Sequence, residues 1–253
     1  MNAKQLRDSI LQYAFQGKLV NPIDVSEKAI KLVEAIIDER NKLIKEKIIK
    51  KVKISTIKDT DYLWDIPEHW VWERAANVLD VRDGTHDTPK YVSEGIPLVT
   101  SKNLNNGDIS FESAKFISME DHLAIEQRSK VDNDDILFAM IGTIGNPVLV
   151  KKHRDFSVKN VGIFKSYPVN KVNMKYILYF LTYMENIIKK NASGGVQAFI
   201  SLSGLRDIMI PIAPIKEQNE IVSKIEKLLE KVNHYDKLFV QLEKHNMNPK
   251  QNK

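Results

Sequence analysis

Cysteine is absent from all 253 residues. That removes disulfide staples, thiolate metal sites and a cysteine nucleophile, and it suits a reducing cytoplasm. Long apolar runs are absent too. No stretch approaches the roughly 18 uninterrupted apolar residues of a membrane span. The first twenty residues, broken by Asp8, Gln12, Gln16 and Lys18, lack the apolar centre of a signal peptide, so a cytosolic chain without a membrane partner is expected. Charge of one sign is only mildly in excess, with 38 Lys and Arg against 33 Asp and Glu. A polyanionic partner is thus allowed without being demanded.

Catalytic signatures are missing as well. There is no Gly-x4-Gly-Lys-Ser/Thr phosphate loop, which argues against ATP-driven translocation by this chain. An amino-methyltransferase of DNA needs an Asp/Asn-Pro-Pro-aromatic loop, but Asn146-Pro147 continues with Val148. His69, His86, His122, His153, His234 and His245 show no metal-ligand spacing. Asp132, Asp134 and Asp135 read as a turn before a strand rather than as a nuclease centre. No residue is assigned a catalytic or metal-binding role.

What is present suits one medium domain with helical appendages, since 43% hydrophobic residues can bury a sizeable core. Leu6, Ile10 and Tyr13 recur at helical spacing between Lys4 and Phe15, and Gly17 follows where a helix would end. After the break at Asn21-Pro22, Ser26 can cap a second helix with Val33, Ile37, Ile44 and Ile48 along one face. The basic run from Lys42 to Lys58 is either a phosphate-facing surface or a solvated helix end and linker.

From Tyr62 to Pro214, strand-length apolar runs alternate with Gly, Asn, Asp and Pro clusters. The spacing predicts strands at Ile96 to Thr100, Asp135 to Met140, Pro147 to Lys151 and Val161 to Tyr167. Between Asn173 and Lys190 the period changes: Ile177, Phe180, Met184 and Ile187 predict a helix, which Asn173 can cap. The fold class is therefore α+β, a mixed domain with irregular loops. At the C-terminal end Ile221, Ile225, Leu228, Val232, Tyr235, Phe239 and Leu242 alternate steps of four and three, a heptad seam. Such a helix forms a rod of roughly 40 Å, able to space two modules as a coiled coil. A helix docked on its own domain is the other reading. The polar tail after Asn246 is expected to be disordered.

Four blocks carry a resemblance over almost the whole chain. The first is Leu6-Arg7-Asp8-Ser9-Ile10-Leu11 through Ala14-Phe15-Gln16-Gly17-Lys18-Leu19-Val20. The second is Ile66-Pro67-Glu68-His69-Trp70-Val71-Trp72, although Ala75-Ala76 stands where a Leu-Gly pair is usual. The third runs from Asp83-Gly84-Thr85-His86-Asp87-Thr88-Pro89 through Gly95-Ile96-Pro97-Leu98-Val99-Thr100 and Asp134-Asp135-Ile136-Leu137 to Gly142-Thr143-Ile144-Gly145. The fourth joins Ser193-Gly194-Gly195-Val196-Gln197 to Ile210-Pro211-Ile212-Ala213-Pro214-Ile215-Lys216-Glu217-Gln218. In this order they resemble the specificity subunits of type I restriction-modification systems, which carry two target-recognition domains and two antiparallel spacer helices. Only one of each is present here, and the first block is one that commonly follows a spacer helix, so the repeat reads as permuted.

The resemblance implies a half-length, non-catalytic subunit that reads double-stranded DNA and completes itself as a homodimer or with another half-subunit. It also implies methyltransferase and restriction or translocase partners, on which S-adenosylmethionine, ATP and Mg are expected, with no cofactor on this chain. The organisation expected is a helical segment 1–58, a target-recognition domain 59–214, a spacer helix 215–246 and a tail 247–253. Tyr235 and the other seam residues would form the dimer contact, and a homodimer would demand a split palindromic target.

Phosphates call for Lys, Arg and backbone amides, whereas base edges call for loop side chains. The candidates are Thr85, His86, Lys90, Ser101, Lys102 and Asn103 on turns flanking a strand. The glycine turns at Gly142-Thr143 and Ser193-Gly194 can bring backbone close to phosphate. Lys151, Lys152 and Arg154 form a basic cluster, and Gln197 is a bidentate donor and acceptor. Ordinary turn roles remain open for each of them. Trp64, Trp70 and Trp72 are read as closing the domain core. A stand-alone dimeric DNA-binding regulator or decoy is the alternative function, and a coiled-coil scaffold that binds protein is a third.

Overall fold

The computed structural model describes residues 2–21, 27–169, 171–190 and 198–247. In chain order its elements are α1 (Ala3–Phe15), α2 (Ala29–Lys45), β1 (Val71–Arg74), α3 (Ala75–Val78), β2 (Asp80–Asp83), β3 (Tyr91–Val92), β4 (Ile96–Val99), β5 (Leu104–Asn105), β6 (Asp108–Ile109), β7 (Lys115–Ile117), α4 (Met119–Ser129), β8 (Ile136–Ala139), β9 (Gly145–Leu149), β10 (Ser157–Val158), β11 (Val161–Lys165), α5 (Met174–Lys190), α6 (Leu202–Arg206), β12 (Met209–Ile212) and α7 (Ile215–Met247). The class is α+β, as expected.

The central layer is an antiparallel sheet in the order β2-β11-β8-β9. Successive strand residues point to opposite faces, and β8 is apolar throughout because both of its faces are covered. Ile136 and Phe138 enter a core shared with α1, α2, α5 and the start of α7. Leu137 and Ala139 enter a smaller core with Val99 of β4 and Val158 of β10. A second sheet, β10-β4-β7-β3, covers that smaller core. β1 and β12 pair antiparallel, from Val71 opposite Ile212 to Arg74 opposite Met209, and close the domain on itself. The three tryptophans are structural: Trp70 and Trp72 are buried, and the Trp64 indole donates to the carbonyl of Phe15 at 2.9 Å.

Helix α1 is capped by Asn2, whose side chain accepts from the Gln5 N–H, and ends before Gly17 at φ +68°, a conformation that favours glycine. Its Phe15 is fully buried, set edge-on to Tyr176 and Phe180 with ring centroids at 5.2 Å. The second helix corrects the expected stripe. It starts from Lys28 as N-cap and buries Ala29, Val33, Ile36 and Arg40, while Ile48 lies beyond its end and is exposed. Pro22 and Ser26 lie outside the described residues. β9 begins and ends two residues before the predicted Pro147 to Lys151, because Gly145 and Asn146, both at positive φ, turn the chain into it.

The junction of the domain with α7 explains the Glu217-Gln218 pair. Glu217, almost fully buried, lies 2.8 Å from His69 Nε2 and accepts from the Trp70 indole at 3.1 Å. Gln218 accepts from the Asn173 backbone N–H at 2.8 Å and donates to the Ala213 carbonyl at 2.8 Å. Buried polar groups are tolerated only when paired, and here the pairing welds the strap before β1 and the cap of α5 to one helix turn. Glu217→Ala, which strands two buried donors, is expected to cost about 2–3 kcal/mol in urea unfolding; a loss under half of that would mean the junction is held by apolar packing alone.

Helix α7 is 33 residues long, roughly 50 Å, and α1 packs along its first half. Ile221 and Ile225 are fully buried, Val232 nearly so, and Arg7 donates to Asn233 at 2.9 Å and to Asp236 at 3.3 Å. This corrects the expected seam: Ile221, Ile225 and Val232 are covered by their own chain, and Leu228 is half-buried. Beyond them Tyr235, Leu238, Phe239 and Leu242 are 47%, 45%, 48% and 62% exposed, so only the last part of the heptad stripe is free. No helix among the described residues is long and apolar enough to cross a membrane.

Candidate nucleic-acid interface

Strand registers sort the expected site residues to two ends of the central sheet. β11 pairs Val161 with Ala139 and Phe164 with Ile136, and β2 pairs Asp83 with Gly162. The turns that follow Asp83, precede Val161 and follow Ala139 therefore share one rim, which holds Thr85, His86, Asn160 and Gly142. Lys151, Lys152 and Arg154 follow β9, whose Leu149 sits opposite Ile136, and so lie at the other end, roughly 13 Å away by strand rise.

The rim is tied together by long-range hydrogen bonds. Thr85 N–H donates to the Val158 carbonyl at 3.0 Å, and its own carbonyl accepts from Asn160 N–H at 3.1 Å. Gly84 allows this approach: a Cβ there would lie 2.3 Å from the Val158 carbonyl oxygen. Ser101 donates through Oγ to the Asn160 carbonyl at 3.4 Å, and Lys159 Nζ bonds Thr88 Oγ1. Gly142, at φ +75°, turns the chain at the same rim, with its N–H donating to the Ala198 carbonyl at 3.0 Å and Thr143 exposed beside it. Ser193, Gly194 and Gln197 lie outside the described residues.

Thr100, Ser101, Lys102, Lys115, Lys159 and Asn160 line a cleft of about 480 Å³ between the rim and the second sheet. Among the described residues none of its three lysines faces a carboxylate; Lys115 instead sits 4.3 Å from the centre of the Tyr91 ring. The nearby acid, Asp83, is buried and neutralised by Arg128, which donates to it at 2.7 Å. A concave surface with several unpaired cations attracts polyanions. Lys90 is exposed just before Tyr91, at the start of β3.

At four of the expected positions the side chain is already engaged within the fold. Asn103 is 2% exposed; its Oδ1 accepts from Thr100 N–H and Oγ1, both at 2.9 Å, and its Nδ2 donates to Ser110 and Ser113. Its capacity is used in building the turn, leaving nothing for a base. Both ring nitrogens of His86 are engaged, Nε2 with Asp83 at 2.8 Å and Nδ1 with Asn160 at 3.0 Å, so the ring, although exposed, spends its polar atoms on holding the rim. Lys152 pairs with Asp155 at 3.0 Å, and Arg154 lies over the Phe111 ring at 5.2 Å, whereas the Lys151 side chain has no partner among the described residues.

Around Asp132 to Asp135 the carboxylates form the expected turn, with Asp134 at φ +66°. Burial raises the Asp135 carboxyl, against the pull of Lys165. Partial burial also raises Asp132, but Lys165 and Lys130 outweigh it and hold that group below the usual range. Among the described residues no cluster of acids and histidines could hold a metal ion.

Sequence reasoning missed Lys159, Asn160 and Lys115. A signal existed for two of them: Lys159-Asn160 is a polar pair between the apolar residues Val158 and Val161, and Asn tolerates the left-handed backbone such turns need.

A family model described as the type I restriction modification DNA specificity domain matches residues 67–244. The chain is 28% identical over 244 residues to the type I restriction enzyme EcoAI specificity subunit of Escherichia coli, covering 90% of this chain and 40% of that protein. It also shares a fold with the HsdS subunit from Thermoanaerobacter tengcongensis, with a TM-score of 0.54 at 16% identity over 82% of this chain and 47% of that one. A structure from work on complex assembly and conformational transition of the type I R-M system gives a TM-score of 0.57 at 16% identity, over 87% and 52% of the two chains. This chain thus spans about 40% of the length of its E. coli relative and about half of each solved structure. With the family model covering most of the chain and the four motif blocks in order, the protein belongs to the type I restriction-modification DNA specificity family.

Proposed function

We propose that this chain is a half-length specificity subunit that reads a duplex DNA target for partner subunits and performs no chemistry itself. Its recognition domain is 59–214, flanked by the helical segment 1–58 and the spacer 215–246. Two copies join through the exposed end of α7, present two identical rims and read a bipartite palindrome in the cytoplasm. A methyltransferase subunit and a restriction subunit then act on that target, with S-adenosylmethionine, ATP and Mg bound to those partners.

The observation that carries this reading is the rim cleft. Lysines without carboxylate partners are held beside Asn, Ser and Thr side chains on turns pinned to each other, and that combination suits phosphate contact together with base readout. The free stripe from Tyr235 to Leu242 supports the dimer, because an exposed apolar heptad row is stabilised by a second helix.

Co-expression with the methyltransferase subunit of its own system, followed by mapping of methylated adenine across the host genome, tests the proposal. A two-part palindromic motif that disappears without this chain is the expected result. An asymmetric motif would replace the homodimer by pairing with a different half-subunit. A stable, DNA-binding dimer that directs no methylation would overturn the specificity role in favour of a stand-alone regulator.

A further inference from the structure

We propose that Asn160 reads an adenine in the DNA target, with its carboxamide oriented by a relay of Arg128, Asp83 and His86. The inference rests on the DNA-reading function proposed above and assigns one base of each half-site to one side chain.

Asn160 is fixed before any DNA arrives. Its N–H donates to Thr85 at 3.1 Å, its carbonyl accepts from Ser101 at 3.4 Å, and its φ is +53°. A turn asparagine ordinarily satisfies its side chain on neighbouring backbone. This one instead has its side-chain oxygen 3.0 Å from Nδ1 of His86, 74 residues earlier in the chain, while lining the cleft with Lys102, Lys115 and Lys159.

The relay decides which way the amide faces. Asp83 is buried and accepts from Arg128 at 2.7 Å through one oxygen, while its other oxygen lies 2.8 Å from His86 Nε2. His86 Nδ1 in turn holds the carboxamide at one corner, 3.0 Å from its oxygen; which atom of a carboxamide sits at such a corner is assigned by the surrounding network. Held at that corner, the amide keeps the edge between its oxygen and its NH2 for the cleft that Asn160 lines. That edge matches N6–H and N7 of adenine in the major groove. The lysines around it supply phosphate contacts, which position the duplex without selecting sequence.

The test is selection of bound duplexes from a random-sequence library by the full chain and by two variants. Asn160→Gly keeps the left-handed backbone unstrained, and His86→Ala removes the relay while leaving the asparagine. The wild-type motif is expected to hold an adenine that Asn160→Gly relaxes by roughly tenfold to a hundredfold. His86→Ala should weaken the same position, and the salt dependence of binding should be unchanged in both, since no phosphate contact is lost. If Asn160→Gly returns the wild-type motif, or lowers affinity equally for all sequences, Asn160 is only a turn residue and the assignment is overturned. If the wild-type chain itself enriches no motif, the DNA-reading function fails, and this inference with it.

Discussion

Placing glutamates on the free end of α7, as Phe239→Glu with Leu242→Glu, is expected to convert a dimer into a monomer and leave the fold's stability within about 0.5 kcal/mol. The two side chains are 48% and 62% exposed, so the isolated chain loses little packing. In an α7–α7 contact they would face apolar neighbours, and burying an unpaired carboxylate there costs several kcal/mol. Sedimentation velocity of wild type and variant, with parallel urea melts, checks both halves of the expectation. A wild type already monomeric at tens of micromolar would remove the homodimer, and a split palindrome with it. The same substitutions at Ile221 and Ile225 should unfold the chain, because those positions are fully buried within it.

Phe15→Ala carries the largest expected stability loss, about 3–5 kcal/mol. Phe15 has no exposed surface and meets Tyr176 and Phe180 edge-on and Tyr183 in a stack. Those three lie on α5, which closes one face of the central sheet. Removing the ring leaves a cavity at the point where α1, α5 and the Trp64 strap converge. Calorimetry should show a single transition shifted well down in temperature. Two separate transitions, with the recognition domain unchanged and only α1 released, would show that the first twenty residues are an independent arm and would argue against their role as the bracket that holds α7.

Which parts were legible beforehand follows from the range of the interactions. α1, α5 and α7 could be read because an amphipathic helix writes its buried face into consecutive turns. β8 and β11 were visible as short apolar runs, and the tryptophans as domain closure. The β1–β12 pair was not visible: Val71 and Ile212 are partners across most of the chain, and Pro211 in the middle of the second strand hides its character. Two-residue strands such as β3 and β10 carry no period at all. At the site, Thr85 and Ser101 meet at Asn160 and Lys102 lines the cleft beside them, whereas the polar atoms of Asn103 and His86 are already engaged within the fold. Both have the chemistry to address a base; both spend it on partners that only the folded chain supplies.

The sequence by itself determined the family, the α+β class, the want of any recognisable catalytic motif and the apolar face of each long helix, because all of these are written in local pattern. Tertiary structure alone decided what covers those faces and which polar atoms remain free. It divided one continuous heptad row into a half buried under α1 and a half left open, and it split the basic candidates between opposite ends of a sheet. It also joined Asp83, His86 and Asn160 into one relay. The physical reason is common to all three: periodicity reports that a surface must be covered or a donor satisfied, but the partner that does so lies far along the chain and is chosen by the packing of the whole domain.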